Sequence, residues 1–376
     1  MSAHSQLPMD INISKVARGL TSYIKRLLIQ TALAEGFPDI LNDYKSILDL
    51  ANYTDTKDLK MLRELVVSLV KLGIIDQKGD LFKWIGGEIR VTEDEEYVKP
   101  LAEPWITMLQ TYMKKFPDLL KGRSRLSLKE PGIWDSVYST PIYQFIWLNT
   151  IKQLNITNDS VILDLGCKTG WNTINILNNY DPKNVVAVDV NQDFLNVADE
   201  NICNFAFEKR FKVTLIRHDF TNEIDLTGCL GDEKPDKVIV SYLFHWYPET
   251  DYLNILSNIR KVLAEDAEIV FIQPHIVYRN QSIFFQLPLY VEDGFKGYPL
   301  LETLANTIIA SGFSMPKREY NICLYSKMGG EQTKPLRISA DPPKYCKICG
   351  GELQENAFFC AYCRNTVDFN VNLPLL

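Results

Sequence analysis

Histidine is scarce in this chain, with four residues among 376. Near neutral pH that leaves His4, His218, His245 and His275 as the only side chains that titrate without a perturbed environment. A basic excess is also lacking: 40 basic side chains face 47 acidic ones, for a net charge of -7. The chain as a whole therefore offers no field that would draw in nucleic acid or anionic lipid. No apolar run reaches the roughly 18 residues of a membrane span. The opening MSAHSQLPMDINISK has no basic stretch followed by an apolar core, so it does not read as a secretory signal. A soluble, cytoplasmic protein with no membrane partner is expected. A disulfide framework is missing too, because Cys167, Cys203, Cys229 and Cys323 are scattered and the other four cysteines crowd the end of the chain.

The composition is that of a globular protein, with 46% hydrophobic and 23% charged residues, and the length suits two or three domains. Residues 13 to 36 have helical spacing, with Leu20, Ile24, Leu27, Leu28 and Thr31 along one face. Two shorter helical patterns follow. The second opens on Thr54 and Asp55 as a cap signal and sends Leu59, Leu62, Leu65, Val66, Leu69 and Leu72 inward before Gly73 stops it. IIDQKGDLFKWIGG then reads as a hairpin turning at Lys78-Gly79-Asp80. Three helices and a hairpin make a winged-helix order. The would-be recognition helix, 55 to 75, sets Lys57, Lys60, Arg63 and Lys71 against Asp55, Asp58 and Glu64. A nearly neutral helix is a poor reader of DNA phosphates, which favours dimerisation or substrate covering instead. Residues 95 to 150 look helical and rich in aromatics that read mostly as core, while Lys121, Arg123, Arg125 and Lys129 read as a solvated loop.

From residue 160 the pattern becomes short apolar runs alternating with helical segments, which argues for a parallel sheet flanked by helices. The first run, VILDL, ends in Asp164 and turns through Gly166-Cys167-Lys168-Thr169-Gly170. A dinucleotide needs bare backbone near its pyrophosphate, which the central glycine of G-x-G-x-x-G supplies and Lys168 removes. A cofactor without a pyrophosphate tolerates that side chain better, since only its carboxylate and ribose edge approach the loop and helix start. VVAVDV places Asp189 nineteen residues after Gly170, where a carboxylate can accept both ribose hydroxyls. Asp219 and Phe220 end the third run, where a carboxylate can accept from an exocyclic amine and a ring can stack on a purine.

VILDLGCKTG, AVDV, HDF and PDKVIVSYLFHWYPE resemble successive motifs of the class I S-adenosylmethionine-dependent methyltransferases, and IRKVLAEDAEIVFIQP and LLETLANTIIASGF resemble later ones. The resemblance runs over about residues 158 to 327. With the N-terminal module it extends to about 13 to 327 and is similar to the O-methyltransferases that dimerise through a winged-helix-like domain. It implies a Rossmann-like α/β fold whose seven-stranded sheet has an antiparallel last strand, and a homodimer. It also implies that Asp164, Gly166 and Gly170 line the methionine end of S-adenosylmethionine, that Asp189 holds the ribose, and that Asp219 and Phe220 face the adenine. Lys168 in place of glycine, and Glu265 to Ala267 in place of a Gly-Gly turn, depart from the pattern.

A hydroxyl acceptor must lose a proton, so a base is useful. His245 falls where that subgroup carries a catalytic histidine before a tryptophan, and Trp246 follows it here; a purely structural histidine is the alternative. His275, just past another strand end, is a substrate-pocket candidate. The tail reads Cys346-x2-Cys349, ten residues, then Cys360-x2-Cys363. Four thiolates in two knuckles suit tetrahedral Zn(II), and a site closed by four sulfurs is structural. This tail resembles a zinc ribbon.

The expected organisation is a winged-helix-like dimerisation domain over 1–94, a helical cover over 95–157, a methyltransferase domain over 158–330 and a linker with zinc ribbon over 331–376. The function implied is methyl transfer from S-adenosylmethionine to the hydroxyl of a small molecule. Two alternatives stand beside it: a protein acceptor docked by the zinc ribbon, and a DNA-binding regulator with a degenerate methyltransferase domain.

Overall fold

The computed structural model describes residues 11–329, apart from 88–89, 124, 127–130, 278–284 and 320–322, together with Leu336. His4 and the cluster Cys346, Cys349, Cys360 and Cys363 lie outside the described residues. The chain divides into two compact units. Among the described residues, the first holds 11–126 and 285–297, and the second holds 131–277, 298–329 and Leu336.

The first unit runs α1 (Ile13–Ala34), α2 (Phe37–Ile40), β1 (Lys45–Ser46), α3 (Ile47–Tyr53), α4 (Leu59–Lys71), β2 (Ile75–Lys78), β3 (Leu81–Trp84) and α5 (Glu93–Leu120). Its strands form a small antiparallel sheet in the order β1-β3-β2. The cap of α4 is Asp58, whose side chain accepts from the Met61 N–H at 3.0 Å. Thr54 and Asp55 do not take that role, because the Thr54 hydroxyl is spent on the Leu50 carbonyl and the Thr56 hydroxyl, and Asp55 sits in the left-handed region at φ 52°. Leu62, Leu65, Val66 and Leu69 of α4 are fully buried, as their spacing predicts, whereas Leu59 at its start is 44% exposed and Leu72 is half-buried.

Helices α1 and α5 approach closely at Gly19, where a Cβ would stand 2.2 Å from the Asp94 carbonyl oxygen. A buried ion pair joins them. Arg26 donates through two nitrogens to Glu95 Oε2, at 3.0 and 2.7 Å, and the Ser22 hydroxyl donates to Oε1 at 2.8 Å. Helix α5 bends at Ala102 (φ -139°), which the rings of Pro100 and Pro104 explain by removing donors and crowding the preceding turn. Residues 285–297 return to this unit: the Leu126 N–H donates to the Val291 carbonyl and the Tyr112 hydroxyl to Glu292.

The second unit runs α6 (Pro131–Tyr138), α7 (Pro141–Ile151), β4 (Val161–Leu165), α8 (Trp171–Tyr180), β5 (Asn184–Asp189), α9 (Gln192–Phe205), β6 (Val213–Arg217), α10 (Thr227–Leu230), β7 (Lys237–Ser241), α11 (Tyr252–Lys261), β8 (Glu268–Ile272), α12 (Leu301–Ala310), β9 (Lys317–Glu319) and β10 (Cys323–Lys327). Seven strands lie in the order β6-β5-β4-β7-β8-β10-β9. The first five are parallel and β10 enters antiparallel to β8, pairing Cys323 with Ile272 and Lys327 with Glu268. Strands β4 and β8 are buried at every position, as continuous apolar runs require when helices cover both faces. The order reverses between β4 and β7, so the ends of β4 and β5 open on the switch point where ligands bind in such sheets.

Replacing Arg26 by Met strands the buried Glu95 carboxylate and is expected to cost about 3 kcal/mol in urea unfolding, since breaking one side of a buried pair leaves an uncompensated charge. Adding Glu95→Gln should restore part of the loss. Equal stability of Arg26→Met and the parent chain would show that the pair contributes nothing.

Candidate cofactor site at the switch point

The loop after β4 is a run of left-handed residues tied to the end of β5. Gly166 (φ 75°), Lys168 (φ 51°) and Gly170 (φ 83°) alternate through it. A Cβ on Gly166 would lie 2.5 Å from the Ser241 carbonyl oxygen, and one on Gly170 would lie 3.0 Å from the Ala198 Cβ. Bare backbone is required at both ends of the turn. In the middle the Lys168 N–H donates to Asp189 Oδ2 at 3.0 Å, and the Asn191 N–H donates to Oδ1 at 2.9 Å. Asp189 is buried, and burial raises its pKa despite the nearby Lys168 charge and these backbone donors.

Asp164 is wholly buried at the end of β4. Its Oδ2 accepts from the Thr173 hydroxyl at 2.8 Å, while Oδ1 has no partner. Burial pushes the Asp164 pKa up to about 7, the Thr173 hydrogen bond opposes that, and the Asp189 charge adds to it. The Thr169 hydroxyl in the same loop is also buried without a partner. Helix α6 is fastened to this loop by Asp135, which accepts from the Trp171 indole N–H and the Asn201 amide, both at 2.8 Å, while Asn201 also donates to the Thr169 carbonyl.

An aromatic wall borders the loop. Trp134 and Tyr138 stack at 5.5 Å, Tyr138 meets Tyr143 at 4.7 Å, and Tyr143 meets Tyr242 at 5.9 Å. The Lys168 ammonium rests over this wall, 5.9 Å from the Trp134 centroid and 5.5 Å from that of Tyr138. Tyr138, Tyr143, Cys167, Lys168, Trp171 and Asn172 line one crevice. At the other end of the wall His245 packs edge-on to Tyr242 at 6.3 Å and to Tyr298 at 5.5 Å. His245 is buried, and its pKa is lowered well below the ordinary histidine value by burial and then by the Lys168 charge, against a hydrogen bond from Gln273.

Residues 162–266 match the family described as methyltransferase domain. The α/β unit carries a methyltransferase domain over these residues. A protein of Methanocaldococcus jannaschii described as uncharacterized is 21% identical over 331 residues, 82% of this chain and 85% of its own. The CurJ carbon methyltransferase superposes with a TM-score of 0.60 at 14% identity, over 84% of this chain and 93% of that one. An O-methyltransferase family protein from Burkholderia thailandensis superposes with a TM-score of 0.51 at 11% identity, over 82% and 96%. Both are likenesses of fold.

In this methyltransferase domain Asp164, Gly166, Gly170 and Asp189 come together around one turn, and His245 shares the aromatic wall with the Lys168 side chain. Asp219 is exposed and its Oδ1 accepts from the Thr221 N–H and hydroxyl at 3.0 and 2.9 Å. The neighbouring Phe220 ring is buried at 1% exposure. His275 is buried with Nδ1 donating to the Gln273 carbonyl at 2.9 Å and Nε2 without a partner, and burial first of all brings its pKa down to about 4. Three contributors are not apparent from the sequence: Asp135 as the tether, Gln273 as the partner of His245, and Trp134 with Tyr138 as the seat of the Lys168 ammonium. Helical spacing marks those aromatics only as core, no short motif surrounds Asp135, and the motif that ends at Gln273 and Pro274 gives no sign of the contact with His245.

Because the folded pKa of Asp164 lies above its unfolded value of about 4, this group favours folding below about pH 4, and its contribution is lost as the pH rises through about 7. The stability of Asp164→Asn relative to the parent chain should therefore climb between those limits, by up to about 4 kcal/mol. Urea unfolding at several pH values measures it, and a flat difference would mean that Asp164 is ordinary.

Proposed function

We propose that this chain is an S-adenosylmethionine-dependent methyltransferase whose acceptor is an oxygen of a small molecule. The observation that carries the reading is the turn after β4, where two glycines whose Cβ atoms would collide with Ser241 and Ala198 flank two orphaned buried polar atoms, Asp164 Oδ1 and Thr169 Oγ1, near the Asp189 carboxylate. A nucleoside bearing an amino acid suits that set. Its amino acid end would face Asp164, Gly166, Gly170 and the start of α8, whose free N–H groups favour a carboxylate. Asp189 keeps lone pairs for two ribose hydroxyls after accepting two backbone N–H groups. Asp219 is assigned to the adenine end, while the Phe220 ring beside it is buried and offers no open face for stacking. When bound, the sulfonium supplies an electrophilic methyl group. The chain's own share is then to hold the acceptor in line with it, beside the aromatic wall of Tyr138 and Tyr143, and to exclude water.

No helix among the described residues is long and apolar enough to cross a membrane. The homodimer belongs to the same proposal, with the first unit as its contact surface. So does a structural zinc ion on Cys346, Cys349, Cys360 and Cys363, supported by the two CxxC pairs and the chemistry of four thiolates.

Calorimetric titration with S-adenosylmethionine should give a dissociation constant in the micromolar range for the intact chain, and Asp189→Ala should weaken it at least about tenfold through the lost ribose bonds. Absence of heat with the intact chain would remove the catalytic reading. Metal analysis of the purified protein should find about one zinc per chain, falling sharply in Cys346→Ser; a metal-free, fully folded protein would sink the zinc assignment.

A further inference from the structure

The protonation of His245 is set by a residue 28 positions away in the chain. Gln273 follows β8 and is fully buried. Its Oε1 accepts from the Phe244 N–H at 3.0 Å, and its Nε2 donates to the Pro274 carbonyl at 2.9 Å. Turning the amide over would set two donors against each other at Phe244 and two acceptors against each other at Pro274. Its orientation is therefore fixed, and the nitrogen faces His245 Nδ1 at 3.1 Å. Nδ1 must accept, so in the neutral imidazole the proton sits on Nε2. A ring in that tautomer donates at Nε2 and cannot take a proton there. The burial and the Lys168 charge that lower the affinity of His245 for a second proton keep it neutral.

Lys168 is the second observation. It keeps a left-handed backbone, which strains any residue with a Cβ, at a position where glycine would be free of that strain. Its ammonium lies over Trp134 and Tyr138, and its field reaches both Asp189 and His245. A cation and a neutral N–H donor thus border the same aromatic wall.

Resting on the methyltransferase reading, we propose that the acceptor enters this site already as an oxyanion, a carboxylate or an acidic enol or phenol, received by the Lys168 ammonium and by His245 Nε2–H, with Gln273 as the positioning residue that makes His245 a donor. The chemistry balances without a base. One lone pair of the oxyanion forms the new O–CH3 bond while the methyl C–S bond breaks and its pair remains on sulfur. The negative charge of the acceptor and the positive charge of the sulfonium are both consumed, and no proton leaves.

Two measurements test it. In the 15N-labelled protein, long-range ring correlations, with His245→Asn to assign the signal, should show a protonated Nε2 and a bare Nδ1 at about pH 7. Protonation at Nδ1 with a bare Nε2 would overturn the proposal. In the second, protein saturated with S-adenosylhomocysteine is titrated with benzoate and with benzamide as probes. Benzoate should bind at least about tenfold tighter, and the ratio should fall to about one in Lys168→Met, each variant being saturated according to its own titration. Equal binding of the two probes to the parent chain, or a ratio unchanged in Lys168→Met, overturns the anionic acceptor alone. A protein that does not bind S-adenosylhomocysteine overturns the methyltransferase reading beneath it.

Discussion

The double acceptance by the Asp189 carboxylate, from the N–H of Lys168 on one oxygen and from that of Asn191 on the other, is the constraint on which the site depends. It ties the turn after β4 to the start of α9, and it obliges the turn to present its amides inward. That geometry needs left-handed backbone at alternate residues, which is why glycine stands at 166 and 170 and why Lys168 is strained between them. It also brings a second acid, Asp164, close enough to feel the first, and two neighbouring buried carboxyl groups cannot both ionise at ordinary cost.

Around this turn the electrostatics are of low charge and high order. The wall from Trp134 to His245 is aromatic, the imidazole is neutral, and the nearby cation is carried by the loop itself. Such surroundings exclude water and leave each remaining hydrogen bond stronger than it would be in solvent. Asp135 extends the same logic outward, since by bonding both Trp171 and Asn201 it holds the wall's own helix against the loop that the wall borders.

The first unit is stabilised by other means. Its α1 and α5 meet across the Arg26–Glu95 pair, and the segment 285–297 adds a bonded strip beside Leu126 together with the Tyr112–Glu292 hydrogen bond. Arg26 and Glu95 are tolerated there because each meets a charged partner held in place by its helix.

Much of this was legible in advance. Apolar runs closed by an acid gave the parallel strands and put Asp164 and Asp189 at strand ends, because a buried parallel strand must be apolar until it leaves the sheet. Gly166 and Gly170 were legible because backbone conformation is a property of the residue itself. The cap of α4 was misread at Thr54 and Asp55, since several adjacent residues could cap and only the course of the chain decided for Asp58.

The sequence by itself determined the strand ends, the turn and the position of His245, all of which follow from local periodicity and residue type. Only the tertiary structure decided that Gln273 fixes the proton of His245, that Lys168 lies across Trp134 and Tyr138, that Phe220 is buried, and that residues 285–297 rejoin the first unit. Each of these depends on which distant segments the folded sheet and helices bring into contact, and spacing along the chain carries no record of that.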